Sequence, residues 1–409
     1  MSTVLPALRN IDAVAVRHEG QPAVCLYDPQ GLVETQLVLS PPAFFVAACL
    51  DGSNSAEAVC RAFAGQYGRE IDVEQVMTVV ETLDAHGFLY TQRFRDVLDA
   101  TTAAFHALDA RPAHLAGKSY PADPDELRGY IAGFFSREGA PEGGFTGPAP
   151  HADPLPFLVV PHIDFDRGGH AYAHGYQELF RHGKPDTVFV FGVAHAGAPM
   201  PFVLTRKHFE TPFGTLQCDR EIVDRLAAAC DWDPYAFELV HRTEHSIEFQ
   251  AVMLAYLYGP DVKIVPILAA QFSDDTAHAT PGEIAPVKRF LDECRAIASE
   301  PGRRVSVIAG ADFAHVGKRF GDDFEIDDTI LAAVRERDEE DLAQVAALHG
   351  EDFYASVMRD QNQRRVCGLG CVYAALKTVE GRVSESRVLH YSHAPDPAGG
   401  IVSFAAAAG

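Results

Sequence analysis

From residue 157 onward, short apolar runs alternate with stretches of helical periodicity, and this alternation constrains the fold more than any other feature of the sequence. The runs are PFLVVPH, TVFVFGVAH, VKIVPILAA, RVSVIAGADFAH and GIVSFAAAA, and AYAHGYQELFRHG is one of the helical stretches between them. Strands that are apolar on both sides need cover on both faces of their sheet. The pattern therefore predicts an α/β domain with a parallel or mixed sheet flanked by helices on both faces.

The N-terminal part of the chain follows a different pattern, typical of a small winged-helix-like α+β domain. Residues 24–34 predict two short strands around a Pro-Gln-Gly turn. Helices capped by Ser55 and Asp72 follow, the second ending at Gly87, after which Phe88 starts a closing strand. A hairpin, helices and a closing strand in this order predict a separate small module.

The length of 409 residues fits two domains better than one. We assign residues 1–95 to the small domain and residues 156–409 to the α/β domain. Residues 96–155 are predicted as a helical linker region that ends in the Gly- and Pro-rich connector EGAPEGGFTGPAPHADPLP.

Composition excludes several kinds of partner. The net charge of -23, with no run rich in Lys or Arg, disfavours binding to nucleic acid. No apolar run approaches the roughly 18 residues of a membrane-spanning helix, and the N-terminus lacks a secretory signal pattern, so we expect a cytoplasmic protein. The 8 cysteines are irregularly spaced, which predicts reduced thiols rather than a disulfide framework.

Polar side chains follow three of the predicted strands. One strand leads into His162 and Asp164, the next into His195, and a third into Asp312 and His315. Functional groups in α/β sheets gather beyond the carboxyl ends of strands. A single histidine is more often a structural residue, but three at equivalent positions predict one shared pocket.

Two more clusters of residues have side chains that could bind metal or take part in catalysis. One cluster, at the start of a predicted helix, consists of Glu244, His245 and Glu248. Acidic residues there also interact favourably with the helix dipole, but that explanation does not account for His245. Cys367 precedes another helix, whose N-terminus favours a thiolate ligand or nucleophile. Cys371 lies one helical turn later, so the two thiols are either a pair or small buried residues.

The motifs occur in the order PHIDFDRGG, FGVAHAG, TEHSIEFQ, IVPILAA, GADFAHVGKRFG, VCGLGCVYAAL, HYSHAPD and GIVSFAAAA. In this order they resemble the Memo family, whose bacterial and archaeal members include AmmeMemoRadiSam system protein B. The resemblance implies a fold shared with class III extradiol dioxygenases. It also implies a transition metal held by His162, His195 and Cys367, with iron(II) favoured and copper or zinc as alternatives.

The resemblance further implies that His245, Asp312 and His315 line the same pocket, either as outer partners of the metal ligands or as acid and base. The implied activity is that of a metal-dependent, dioxygenase-like oxidoreductase acting on a small molecule or peptide. Two alternatives stay open: a metal-assisted hydrolase, and a non-catalytic binding or scaffold protein.

The sequence departs from the family pattern at two motifs. Relatives usually have PHAGY where this chain has PHIDF, so Asp164 is an additional carboxylate that either binds the metal or hydrogen-bonds one of its ligands. The second motif commonly has two adjacent histidines, whereas here His195 is followed by Ala196. Cys371 has no expected counterpart in the family.

The N-terminal domain resembles the PqqD-like domain, through LYDPQGLVETQLVLSPPAFFVAACLDG and VEQVMTVVETLDAHGFL. That resemblance implies binding of a peptide or protein partner by strand addition. The alternative is a structural appendage to the larger domain.

Overall fold

The computed structural model describes residues 3–143, 152–270, 272 and 280–409. Residues 144–151 of the predicted connector lie outside the described residues. The chain divides into two compact units, Met1–Ala107 and Leu108–Gly409.

The smaller unit is a three-stranded antiparallel sheet with helices packed around one apolar core. Its elements are β1 (Asp12–His18), β2 (Gln21–Tyr27), β3 (Leu37–Leu39), α1 (Pro41–Ala48), α2 (Ala56–Tyr67), α3 (Val73–Ala85) and α4 (Gln92–His106). Ser55 and Asp72 cap α2 and α3, as predicted.

The predicted turn at Pro-Gln-Gly is present, because the backbone N–H of Gly31 donates to the carbonyl oxygen of Asp28 over 3.0 Å, but the antiparallel strand after it begins at Leu37 rather than within residues 31–34. A further turn, at Glu19 and Gly20 between β1 and β2, was not predicted. After β2 the Asp28 carboxylate accepts the backbone N–H groups of Leu32 and Val33, which holds this segment as a loop. The predicted closing strand is reduced to an isolated bridge between Leu8 and Leu89.

The larger unit is built on an 11-stranded mixed sheet. Its strands are β4 (Ala110–Arg111), β5 (Phe157–Val160), β6 (Thr187–Val193), β7 (Phe202–Leu204), β8 (His208–Thr211), β9 (Gly214–Cys218), β10 (Lys263–Ala269), β11 (Val305–Gly310), β12 (Asp312–Val316), β13 (Arg387–Asp396) and β14 (Gly400–Ala408). Its helices are α5 (Pro124–Phe134), α6 (Phe165–Arg181), α7 (Arg220–Ala229), α8 (His245–Tyr258), α9 (Ala285–Ala298), α10 (Asp328–Ala346), α11 (Gly350–Met358) and α12 (Leu369–Val379).

Helices cover both faces of this sheet, which confirms the predicted fold class. Along β5, Phe157 and Val159 face a core shared with α7, α9 and α12, whereas Leu158 and Val160 face a core shared with α5, α6 and α8. Helix α5 precedes the region that we predicted as the α/β domain, and its buried side chains join the second of these cores.

Three central strands bring the predicted site residues to one edge of the sheet. β11 pairs in parallel with β5 and with β6, and Gly310 at its end lies beside Val160. The segment predicted as one strand from β11 to His315 is instead two strands, because β11 ends at Gly310 and β12 pairs antiparallel with β14. Within the described residues, no helix combines the length and apolar character that crossing a bilayer requires.

Candidate metal centre

His162 follows β5 and is buried, with 2% of its surface exposed. Its backbone N–H donates to Asp312 Oδ1 over 3.0 Å, and its ring Nδ1 lies 2.8 Å from the carbonyl oxygen of Gly310. Since that carbonyl can only accept, Nδ1 carries the proton and Nε2 keeps a free lone pair. Nε2 lies 3.2 Å from Sγ of Cys367.

His195 follows β6 and is held by one buried carboxylate. Its Nδ1 lies 3.0 and 3.1 Å from the two oxygens of Glu244, and its backbone N–H donates to the same carboxylate. Glu244 also caps α8 by accepting the backbone N–H of Ser246. A carboxylate on Nδ1 is the usual way in which proteins orient a histidine whose Nε2 binds metal.

The same contact sets the ionisation of both groups. Burial alone would raise the pKa of Glu244, but His195 and His245 together with the hydrogen bonds hold that pKa well below its usual value. Burial would lower the pKa of His195, but the charge of Glu244 and its hydrogen bond raise it. Glu244 is therefore an anion that attracts positive charge to this edge of the sheet.

Cys367 lies in the loop before α12, next to the glycine that caps this helix. A methyl group at Gly368 would lie 2.6 Å from Cβ of Ala311 and 2.8 Å from the carbonyl oxygen of Asp312, so only glycine allows this approach. Sγ of Cys367 lies 3.6 Å from that carbonyl oxygen. Burial raises the pKa of the thiol well above its usual value, and Asp312 and Cys371 add to the effect.

His162, His195 and Cys367 form a group that could hold a metal ion, since one ligand atom from each lies within 4.8 Å of the others. The fixed Nδ1 atoms of both histidines leave Nε2 as the available donor, beside one sulfur atom. Two imidazoles and a thiolate suit iron, copper or zinc. The residues present therefore fit a transition metal.

His245 is the first residue of α8 and joins this cluster. Its ring stacks on that of His195 with centroids 4.6 Å apart, and it lies 5.2 Å from the ring of His162. Burial lowers the pKa of His245 to about 4, although Glu244 opposes the shift. His195, Glu244 and His245 form a second group of potential metal ligands, which shares His195 with the first.

Asp312 lies directly behind His162. Oδ2 of Asp312 is 3.6 Å from Nε2 of His162, and the residue is 2% exposed. Burial raises the pKa of Asp312 to about 7, although backbone hydrogen bonds from His162 and Ile163 oppose the shift. This carboxyl can therefore hold or release a proton near neutral pH.

His315 is turned towards backbone carbonyls instead. Its Nδ1 lies 3.1 Å from the carbonyl oxygens of both Phe313 and Arg365, and its ring packs edge-on against Phe320. Burial lowers its pKa to about 4. The arrangement leaves its Nε2 available, but its ring is not one of those stacked around His162.

A buried arginine that the sequence analysis missed supports the first turn of α8. Arg111 Nη1 lies 2.6 Å from Glu248, and its other nitrogens donate to the backbone carbonyls of His241 and Glu244. Glu248 also accepts the hydroxyl of Tyr120. Arg111 is more than 130 residues away from these partners, so no local pattern could have revealed it.

A second missed network holds the segment before Cys367. The guanidinium of Arg364 is buried between Asp338 and Asp341 of α10, and it lies 2.7 Å from Asp341. The carbonyl oxygen of Arg364 accepts the backbone N–H of His315 over 2.6 Å. One ion network thus fixes both β12 and the loop that carries the thiol.

Two residues that the sequence analysis left open have structural contacts. Asp164 caps α6 through the backbone N–H of Arg167 and forms an ion pair with the same arginine. Cys371 is buried in α12, and its Sγ lies near the carbonyl oxygens of Gly310 and Gly368.

A cavity of about 420 Å³ opens beside His195 and Cys367. Its walls are mainly apolar, with polar groups from the loop after α11; they include Val193, Ala269, Phe272, Tyr354, Gln361, Asn362, Arg365 and Leu369. The guanidinium of Arg365 forms an ion pair with Asp322 at 2.7 Å. Among the described lining residues, the charge of this arginine is therefore balanced.

Fold and site together define an α/β protein whose mixed sheet carries a His₂Cys group able to hold a metal ion. The family model described as Memo-like protein matches residues 111–408, and the chain belongs to this family. It is 30% identical over 311 residues to a MEMO1 family protein of Methanopyrus kandleri, covering 73% of this chain and 98% of the relative. It is 26% identical over 365 residues to a MEMO1 family protein of Aquifex aeolicus, covering 89% of each chain.

Proposed function

We propose that the larger unit is a metal-dependent, dioxygenase-like oxidoreductase with iron(II) held by His162, His195 and Cys367. The observation that carries the proposal is the convergence of one ring nitrogen each from His162 and His195 with Sγ of Cys367, while Nδ1 of both histidines lies beside a fixed acceptor. Iron(II) in such a site would supply redox chemistry with O₂ and an electron-rich substrate.

His245, Asp312 and His315 are the proposed acid–base groups. His245 is neutral near pH 7 because burial lowers its pKa to about 4, so it can accept a proton from a substrate hydroxyl. Asp312, whose pKa is raised to about 7 by burial, is suited to holding a proton and returning it. His315 is the third candidate, through Nε2.

The cavity beside His195 and Cys367 supports a small substrate. Its volume of about 420 Å³ lies in the usual range for small-molecule sites. Apolar walls and a balanced arginine favour a molecule that is largely apolar and uncharged. Gln361 lines the cavity, and its carboxamide is the proposed partner for the polar end of such a molecule.

We further propose that the protein acts in the cytoplasm and that the smaller unit recruits a peptide or protein partner. The competing function is a scaffold, in which that partner is bound and no reaction follows. A scaffold would bind its partner equally well after His162→Ala, whereas an oxidoreductase would lose O₂ consumption.

The test is metal content by mass spectrometry after anaerobic purification, for the wild type and for His162→Ala, His195→Ala and Cys367→Ala. His349→Ala is the control, because this histidine is exposed. We expect near-stoichiometric iron in the wild type and the control. The three variants should lose both the iron and O₂ uptake. Absence of iron after reconstitution would overturn the proposal, and zinc with hydrolysis of a test ester would favour a hydrolase.

A further inference from the structure

Three histidines form a cluster that the candidate metal centre does not use. His170 and His174 are four residues apart on α6, so they share one face of this helix. His390 comes from β13, which packs against α6. The rings of His174 and His390 stack with centroids 4.7 Å apart and planes at 13°.

Some ring nitrogens of this cluster make no hydrogen bond within the described part of the chain. Nδ1 of His170 is buried and has no hydrogen-bond partner among the residues that the structure describes. His174 uses Nε2 for the carbonyl oxygen of Gly139, at 3.1 Å, and within the described part of the chain the His390 ring has no hydrogen bond. A buried polar atom without a partner is costly, so an unfilled nitrogen calls for an explanation.

The nearby carboxylate of Glu178 does not explain why the three histidines lie together. Glu178, one turn beyond His174 on α6, is engaged by Arg387 at 3.0 Å and by Arg181 at 3.6 Å. Burial and the neighbouring His174 and His170 lower the pKa of His390 to about 4. The imidazole of His390 is therefore neutral near pH 7, which is the form that binds metal.

We propose that His170, His174 and His390 form a second transition-metal site, which takes a divalent ion such as zinc or nickel through imidazole nitrogens alone. Two histidines four apart on a helix are a common metal-binding pair, and a third imidazole completes a three-ligand site. The stacked rings have parallel lone pairs, so binding requires rotation of His174 or His390 about its Cα–Cβ bond. Both side chains are partly exposed, which leaves room for this rotation.

The experiment is a zinc titration of the metal-free full-length chain against a chromophoric chelator. The double variant His195→Ala/Cys367→Ser removes the histidine shared by both ligand groups of the other centre as well as its thiol, so the proposed site is titrated in that background. Adding His170→Gln, His174→Gln or His390→Gln is expected to weaken the remaining zinc affinity by more than the roughly 10–100-fold that loss of an outer partner costs. His349→Gln, an exposed histidine elsewhere, is the matched control and should change nothing.

Equal zinc affinity in His390→Gln and in the control would overturn the three-ligand site, even if the two helix variants lost affinity. All three histidines are partly exposed, and circular dichroism checks that each variant is folded. The result is independent of the proposed function, because the His195→Ala/Cys367→Ser background disables both ligand groups of the other centre.

Discussion

Nε2 of His162 lies 3.2 Å from Sγ of Cys367, although 205 positions of the chain separate the two residues. The first follows β5, and the second lies in the loop before α12. An ion bound by both would join these two parts of the larger unit.

Metal should stabilise the folded chain. An ion that binds only the folded state at 100 times its Kd adds about 2.7 kcal/mol to the free energy of unfolding. Chelation is therefore expected to lower the midpoint of urea unfolding of the iron-loaded protein. In the double variant His162→Ala/Cys367→Ala, chelation should lower the urea midpoint only by the amount that metal bound to the histidine cluster contributes. A decrease as large as that of the wild type would contradict the assignment of His162 and Cys367 as metal ligands.

Glu244→Gln should weaken metal binding without unfolding the protein. The carboxylate orients His195 through Nδ1, and loss of such a partner costs roughly 10–100-fold in metal affinity. Competition with a chelator measures the change. Glu336→Gln, an exposed acid on α10, is the control, and an unchanged affinity in Glu244→Gln would exclude this orienting role.

Gly368→Ala should lower both stability and metal content. Its methyl group would lie 2.6 Å from Cβ of Ala311, and overpacking of this kind costs about 1–3 kcal/mol. The loop that carries Cys367 must shift to relieve the contact. Gly129→Ala on α5, where an added methyl group meets no atom within 4 Å, should retain full metal content and is the control for urea unfolding.

Arg111→Ala should destabilise the larger unit strongly. It leaves the buried carboxylate of Glu248 without its cation, and breaking a buried ion pair in this way costs about 3–5 kcal/mol. Arg335→Ala removes an exposed ion pair with Glu339, which is worth about 1 kcal/mol or less. Similar urea midpoints for the two variants would show that the buried pair is not the main support of α8.

The metal-free protein should lose stability as the pH falls from 6.5 towards 3, in part because of His241. Burial lowers the pKa of His241 to about 3, so in this window the unfolded chain binds the proton and the folded chain does not. Each such group makes the free energy of unfolding fall by up to about 1.4 kcal/mol per pH unit on acidification. His241→Gln should flatten this slope, whereas the exposed control His349→Gln should keep it.

The sequence predicted those parts of the site that have a local signal. His162 and His195 end apolar strands, and Cys367 precedes a helix, so each could be placed by the element beside it. Their convergence on one edge follows from parallel pairing of β5, β6 and β11, which the alternation of strands and helices indicated.

The remaining parts depend on contacts between distant residues. Nothing near Arg111 indicates that it binds Glu248, and the ion network of Arg364 spans more than 20 positions. The strand predicted after the Pro-Gln-Gly turn begins only at Leu37, because the carboxylate of Asp28 accepts the backbone N–H groups of Leu32 and Val33 and holds them in a loop. Such features are decided by tertiary hydrogen bonds rather than by local preference.

One carboxylate, that of Glu244, receives the ring N–H and the backbone N–H of His195 and the backbone N–H of Ser246. The orientation of His195, a proposed metal ligand, and the first turn of α8 are therefore expected to open as one cooperative unit in local unfolding. If an ion is bound there, fraying of this turn would release it, so we expect the lifetime of the bound metal to follow helix opening. Hydrogen exchange at the amide of Ser246 would report the same event.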